Sequence, residues 1–204
     1  MKVIEQEIHS LKNSISEMWA LVHQQLYNAG EAMLTGDKEL AYKVISRERR
    51  VNAFELKIDS DCEDIIALYA PVAIDLRFVL AMYKINTNLE RLGDFAESIA
   101  RFAGNLPEGE PIDPQLVKET RVEEMLSELL SMISLTKEAF EKESSEIASR
   151  IFLKDNLIDE INHNSTAIIA KYIEEHKGSA LAGLYMACLL YTSPSPPDMR
   201  RSRM

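Results

Sequence analysis

Apolar residues recur at alternating spacings of three and four through Ile4, Ile8, Leu11, Ile15, Met18, Val22 and Leu26. That period follows one face of an α-helix and predicts a helix from about residue 2 to 34. Thr35-Gly36 ends it, and Asp37 is suited to cap the next. A second stripe runs through Leu40, Val44, Val51, Phe54, Ile58, Cys62 and Ile65 to Tyr69. Pro71 breaks it, because proline has no amide hydrogen for the helical ladder. A third stripe starts near Asp75, carries Leu76, Val79, Met82, Ile85, Leu89 and Leu92, and ends around Phe102-Gly104.

GNLPEGEPIDP, residues 104 to 114, crowds glycine and proline into a stretch without apolar period, the mark of a connection. We place a linker at 105–114, a first three-helix repeat at 1–104 and a second at 115–187. In the second, helices are expected over about 115–140, from Ser145 to His176, and from Ser179 onward. The offset between repeats is about 104 residues, which aligns Asn52 with Asn156, Glu55 with Asp159 and Asp59 with His163. Helices of about 32 residues are roughly 48 Å long, and short turns pack them antiparallel. The expected fold is all-α: two tandem three-helix bundles, the second truncated.

The truncation comes from the C-terminus. CLLYTSPSPPDMRRSRM, 188 to 204, abandons the helical period, gathers prolines and turns basic. It resembles a translated transposase-adapter sequence of the kind left by sequencing libraries, and is read as a non-native tail. Its Asp198 against Arg200, Arg201 and Arg203 makes it +2, leaving −12 on the rest of a chain whose net charge is −10. A shortened last helix is expected to expose the apolar stripes of the two before it, giving aggregation or partner-dependent solubility.

An acidic balance, 33 Asp and Glu against 23 Lys and Arg, argues against a nucleic-acid partner, which needs clustered cations. No stretch approaches 18 apolar residues, so no membrane insertion is expected. The two cysteines, Cys62 and Cys188, make neither a disulfide framework nor a zinc spacing. A cytoplasmic protein follows. Gly-rich phosphate loops, a Ser/His/Asp order in strand–turn–helix context and CxxC are all missing from the sequence, so no enzymatic activity is expected.

Against that background the carboxylates stand out. Glu90 and Asp94 sit four apart on the third helix, where like charges cost roughly 0.2–0.5 kcal/mol. Glu97 follows them, and Glu55, Asp59 and Glu63 repeat the spacing on the second helix. With the intervening turn centred near Ala73, Glu55 lies level with residue 91 and Asp59 with residue 87. One reading is a solvated face relieved by Arg47, Arg49, Arg50 and an ordinary Glu97–Arg101 pair. The other is a cation site, because carboxylate oxygens suit magnesium, calcium, manganese or iron. Asp159 and His163 form a candidate ligand pair in the second repeat. Glu160-x-x-His163 has the spacing of carboxylate-bridged di-iron bundles, but no second such pair exists.

Three segments together resemble the PhoU family of phosphate-transport regulators: LTGDKELAYKVI (34–45), LYAPVAIDLRF (68–78) and INTNLERLGDFAESIA (85–100). The second is similar to the family's Pro-Val-Ala-x-Asp-Leu-Arg turn, the third to its Glu-Arg-x-Gly-Asp helix. The resemblance implies two three-helix bundles holding multinuclear metal, iron or zinc by preference and manganese or magnesium otherwise. Glu90 and Asp94 match the first-repeat metal motif, and Asp75 and Arg77 the turn motif, a candidate partner contact. The second motif would fall near 194–198, where the sequence reads Pro194-Ser-Pro-Pro-Asp198. The implied role is negative control of phosphate uptake and starvation signalling. It would act by contact with a phosphate ABC transporter and a membrane sensor histidine kinase, with the protein as a homodimer. Two alternatives compete: a ferritin-like carboxylate-bridged metal oxidoreductase, and a soluble appendage of a sodium/phosphate transporter.

Overall fold

The apolar stripes become helix faces packed on one another. The computed structural model describes residues 2–106, 112–152, 154–176 and 180–191, and among them it is helical with no strand. The elements are α1 (Lys2–Thr35), α2 (Lys38–Tyr69), α3 (Ala73–Asn105), α4 (Pro114–Thr120), α5 (Val122–Glu141), α6 (Ser145–Ile151), α7 (Asp155–Glu175) and α8 (Ala180–Tyr191). Asp37 caps α2 by accepting from the Leu40 amide at 2.9 Å, satisfying one of the four free donors at the helix start. The turn after α2 puts Ala70 in the left-handed region at φ 45° before Pro71.

The first three helices pack on each other as a bundle. Leu11, Ile15, Met18 and Val22 of α1 are buried against Val44, Val51 and Ile58 of α2 and Val79, Leu89 and Ala96 of α3. Met18, Met33 and Met82 are buried in this bundle, and Trp19 is buried where α1 meets the second half. Two polar side chains tie the bundle through the α2 backbone: Gln25 Nε2 donates to the Val44 carbonyl at 2.8 Å and Asn86 Nδ2 to that of Glu55 at 2.9 Å.

α5 docks antiparallel on α1. Lys12, Trp19, His23 and Gly30 meet Glu143, Phe140 with Ile133, Ser134 and Leu126 in reverse order. Trp19 Nε1 donates to the Ile133 carbonyl at 3.2 Å, and its ring stacks on Phe140. Buried residues of both halves form one contiguous cluster reaching Met186 and Leu190 of α8.

Several boundaries differ from those read off the period. The helix expected over about 115–140 is two, α4 and α5, parted at Arg121, whose φ of 54° is left-handed. The guanidinium bonds Glu124 and Glu160 at 2.7 and 2.9 Å, which ties the break to α7. The helix expected from Ser145 to His176 is also two, α6 and α7, with an interruption after Ile151. α8 continues to Tyr191, so the first residues assigned to the tail, 188–191, are helical. The remainder of the tail, Asp198 included, lies outside the described residues.

Candidate metal site

Two helix faces meet along the α2–α3 seam, and both break the apolar rule there. On α2 the 3/4 stripe runs Ala41, Val44, Glu48, Val51, Glu55, Ile58, Cys62, Ile65. On α3 it runs Val79, Met82, Asn86, Leu89, Gly93, Ala96, Ala100, Ala103. Glu48, Glu55 and Asn86 thus stand where the helical period places core side chains. Gly93 stands there too, and what it does is geometric: a Cβ at Gly93 would lie 2.8 Å from Val51 Cγ1. Glycine inside a helix costs about 1 kcal/mol relative to alanine. Here it lets α2 and α3 approach closely beside Asp94.

Close approach gathers the acids. Asn86 Nδ2 donates to Asp59 Oδ1 at 2.7 Å, so Asp59 faces Asn86, one residue from the expected level. Glu90 titrates near 7, raised above the ordinary 4.5 by burial first, then by a hydrogen bond with the Asp94 carboxyl and the charges of Asp94 and Glu55. Arg91 opposes the shift. The Glu55 carboxyl is pushed up by burial and then by Asp59 and Asp94. Glu55, Asp59, Glu90 and Asp94, predicted from spacing and resemblance, are therefore brought together electrostatically. Arg47, Arg49 and Arg50 are exposed, and among the described residues none has an ion pair with these acids. Arg50 instead lies over the Phe54 ring. Glu97 does pair with Arg101, at 2.6 Å, as expected.

Glu48 escaped the sequence reading. It is 5 % exposed, and neither carboxylate oxygen has a hydrogen-bond partner. Burial raises its pKa to about 7, with further contributions from Asp94, Glu97 and Glu90. Asn86 was missed as well; it is fully buried and its Oδ1 is without a partner. The signal for both was present in the sequence, as polar residues at stripe positions.

The donor set is all oxygen: carboxylates and one carboxamide. Buried acceptors without donors are what a hard cation satisfies, so the residues fit such an ion. Among the described residues, however, no three acids are gathered round a common point as ligands. Coordination therefore requires side-chain rotation on a fixed backbone. Oxygen donors alone suit magnesium, manganese or iron better than zinc, which prefers nitrogen and sulfur.

The second repeat is different. Asp159 and His163 are both exposed on α7, and Glu160 is held by Arg121. Asp155 is pushed up by burial and by Asp159. Gly183 of α8 packs closely on Ile173 of α7. Among the described residues, α8 carries no acid.

Asp75 and Arg77 lie elsewhere. Both are exposed at the start of α3, about 22 Å from Glu90 along the axis. Around them the turn shows large apolar side chains: Leu68, Val72 and Ile74 are 71 %, 74 % and 81 % exposed.

Comparison with known proteins accords with the all-α fold. The PhoU domain family model matches residues 15–103 and again 122–193. The chain is 33 % identical over 171 residues to the phosphate-specific transport system accessory protein PhoU homolog of Aquifex aeolicus, covering 83 % of this chain and 75 % of that protein. It is 32 % identical over 184 residues to the phosphate-specific transport system accessory protein PhoU of Escherichia coli, covering 89 % and 75 %. The crystal structure of PhoU from Pseudomonas aeruginosa superposes with a TM-score of 0.81 at 25 % identity, over 92 % of this chain and 88 % of that one. That of Streptococcus pneumoniae gives 0.74 at 25 % identity, over 92 % and 93 %. An all-α chain that matches the PhoU domain twice, with an acidic seam in its first match, belongs to the PhoU family.

Proposed function

We propose that this chain is a non-enzymatic accessory regulator of phosphate-specific transport. It represses phosphate uptake and the starvation response when phosphate is plentiful. It acts by contact with a phosphate ABC transporter and a membrane sensor histidine kinase, from the cytoplasmic side and as a homodimer. The observation that carries this reading is family membership through relatives named as accessory proteins of that transport system. The exposed apolar turn around Asp75 and Arg77 supports a contact role, since apolar patches of this kind mark interaction surfaces. No described helix is long and apolar enough to cross a membrane, so membrane-bound partners are reached by contact.

A multinuclear cation at Glu55, Asp59, Glu90 and Asp94 completes the reading. It neutralises the repulsion along the seam and locks α2 to α3. The oxidoreductase alternative has less support, because Glu160 is engaged by Arg121 and His163 stands exposed. Deleting the gene tests the regulatory role. Phosphate-responsive genes are expected to be expressed in phosphate-rich medium; continued repression there would refute it. Elemental analysis of the purified protein beside a Glu90→Gln, Asp94→Asn variant tests the cation, whose content should fall in the variant.

A further inference from the structure

We infer that the groove between the starts of α1 and α3, bounded at one end by the last turn of α5, seats an amphipathic helix of a partner protein. That helix is apolar on the face it lays down and basic along its flanks. The inference rests on the reading of this chain as a contact regulator, and deepens it by naming the class of segment bound and where it lies.

α5 shows what this groove is shaped to hold. Gly30, His23, Trp19 and Lys12 of α1 meet α5, and the same stripe continues through Ile8 to Glu5 at spacings of four and three. α5 itself stops at Glu141, and Glu143, at φ 50°, turns the chain into α6. The last stretch of the stripe, from Lys12 to Glu5 and about 10 Å long, is left uncovered by α5. A groove of about 620 Å³ opens there, walled by Ile8 of α1, Phe78, Met82 and Ile85 of α3 and Phe140 of α5. Ala81 gives it a small, exposed wall position, and Ile74 links it to the exposed apolar turn. A helix laid end to end with α5 would meet the face of α1 that α5 already uses, with apolar anchors at i, i+3, i+4 and i+7. Charge selects its flanks. The rim carries Glu5, Asp75 and Glu143 against Lys12, which is already bonded to Glu143 at 2.8 Å. Among the described residues neither Glu5 nor Asp75 is in an ion pair. Lysines or arginines complement such a rim, and an acidic segment is repelled by it.

The probe is a fluorescent helical peptide of about 14 residues, roughly four turns, with leucines on one face and lysines on both flanks. Its binding to the full chain is followed by fluorescence anisotropy, beside a peptide with glutamates in place of the lysines. Wild type is expected to bind the lysine peptide and not the glutamate one. Ala81→Trp fills the groove from an exposed position, so its circular dichroism and melting should match wild type while peptide affinity falls at least about tenfold, the scale of a lost anchor pocket. Glu5→Gln with Asp75→Asn should weaken binding roughly threefold, as solvent-exposed charge pairs do. Glu123→Gln with Glu174→Gln, the same charge change at exposed positions elsewhere, should leave it unchanged. Equal affinity in Ala81→Trp, equal loss in the charge-matched control, or equal binding of the glutamate peptide overturns the inference. So does a wild-type dimer that Ala81→Trp dissociates in sedimentation, because the groove then holds a second copy. In cells, Ala81→Trp should release phosphate-responsive genes in phosphate-rich medium, and full repression there removes the groove from regulation. Repression that persists when the whole gene is deleted refutes the regulatory reading instead, an outcome separate from the peptide result.

Discussion

Glu48 and Asn86 occupy positions that the helical period reserves for apolar side chains, and each responds to burial in its own way. Asn86 meets its surroundings with two hydrogen bonds. Glu48 has none, and with Glu90 it titrates near 7. In the metal-free protein the folded chain therefore holds more protons than the unfolded chain between about pH 4.5 and 7. Stability falls as pH rises through that window. Urea unfolding at pH 5 and 7.5 should show the decline in wild type and a shallower one in Glu48→Gln; equal slopes would exclude Glu48 as a source. Gly93 allows a second residue-scale prediction. Gly93→Ala drives a methyl into Val51, whose β-branched side chain is stiff and fully buried. Overpacking costs about 1–3 kcal/mol, more than the roughly 1 kcal/mol alanine gains in a helix. Net destabilisation should appear in urea unfolding, and adding Val51→Ala should recover part of it.

Among the elements, α1, α2 and α3 follow their stripes closely because long amphipathic periods average out local irregularity. The second half breaks more often. Arg121 takes a left-handed conformation within a continuous apolar pattern, and it is the contact with Glu160 on α7 that accompanies the break. Neither glycine nor proline announces it. Ala70 also sits in the left-handed region, at a helix end where glycine is the usual residue. A Cβ costs about 1–2 kcal/mol there, partly offset by the lower entropy of unfolded alanine. Ala70→Gly should accordingly raise stability by about 0.5–1 kcal/mol in urea unfolding.

At the scale of the whole molecule, α1 serves both halves, with α2 and α3 on one side and α5 on another. Trp19 is the main tie. Its ring stacks on Phe140 and its Nε1 reaches the Ile133 carbonyl. Trp19→Ala should cost about 3–5 kcal/mol, the range for a large core truncation. Trp19→Phe should cost less, keeping the apolar contact and losing one hydrogen bond worth about 1 kcal/mol. Circular dichroism must follow both, since Trp19 is the chain's sole tryptophan.

Periodicity alone determined the three long helices, the capping role of Asp37 and the level at which Asp59 meets α3, because each depends on residues close in sequence. Spacing brought Glu55, Asp59, Glu90 and Asp94 into view as like charges. Whether they faced one another depended on the rotation of two helices about their axes, which only packing sets. The same rotation turned Glu48 and Asn86 inward and left Asp159 and His163 in solvent. A local pattern specifies the face of a helix; the helix laid against that face decides whether a carboxylate there meets water or other carboxylates.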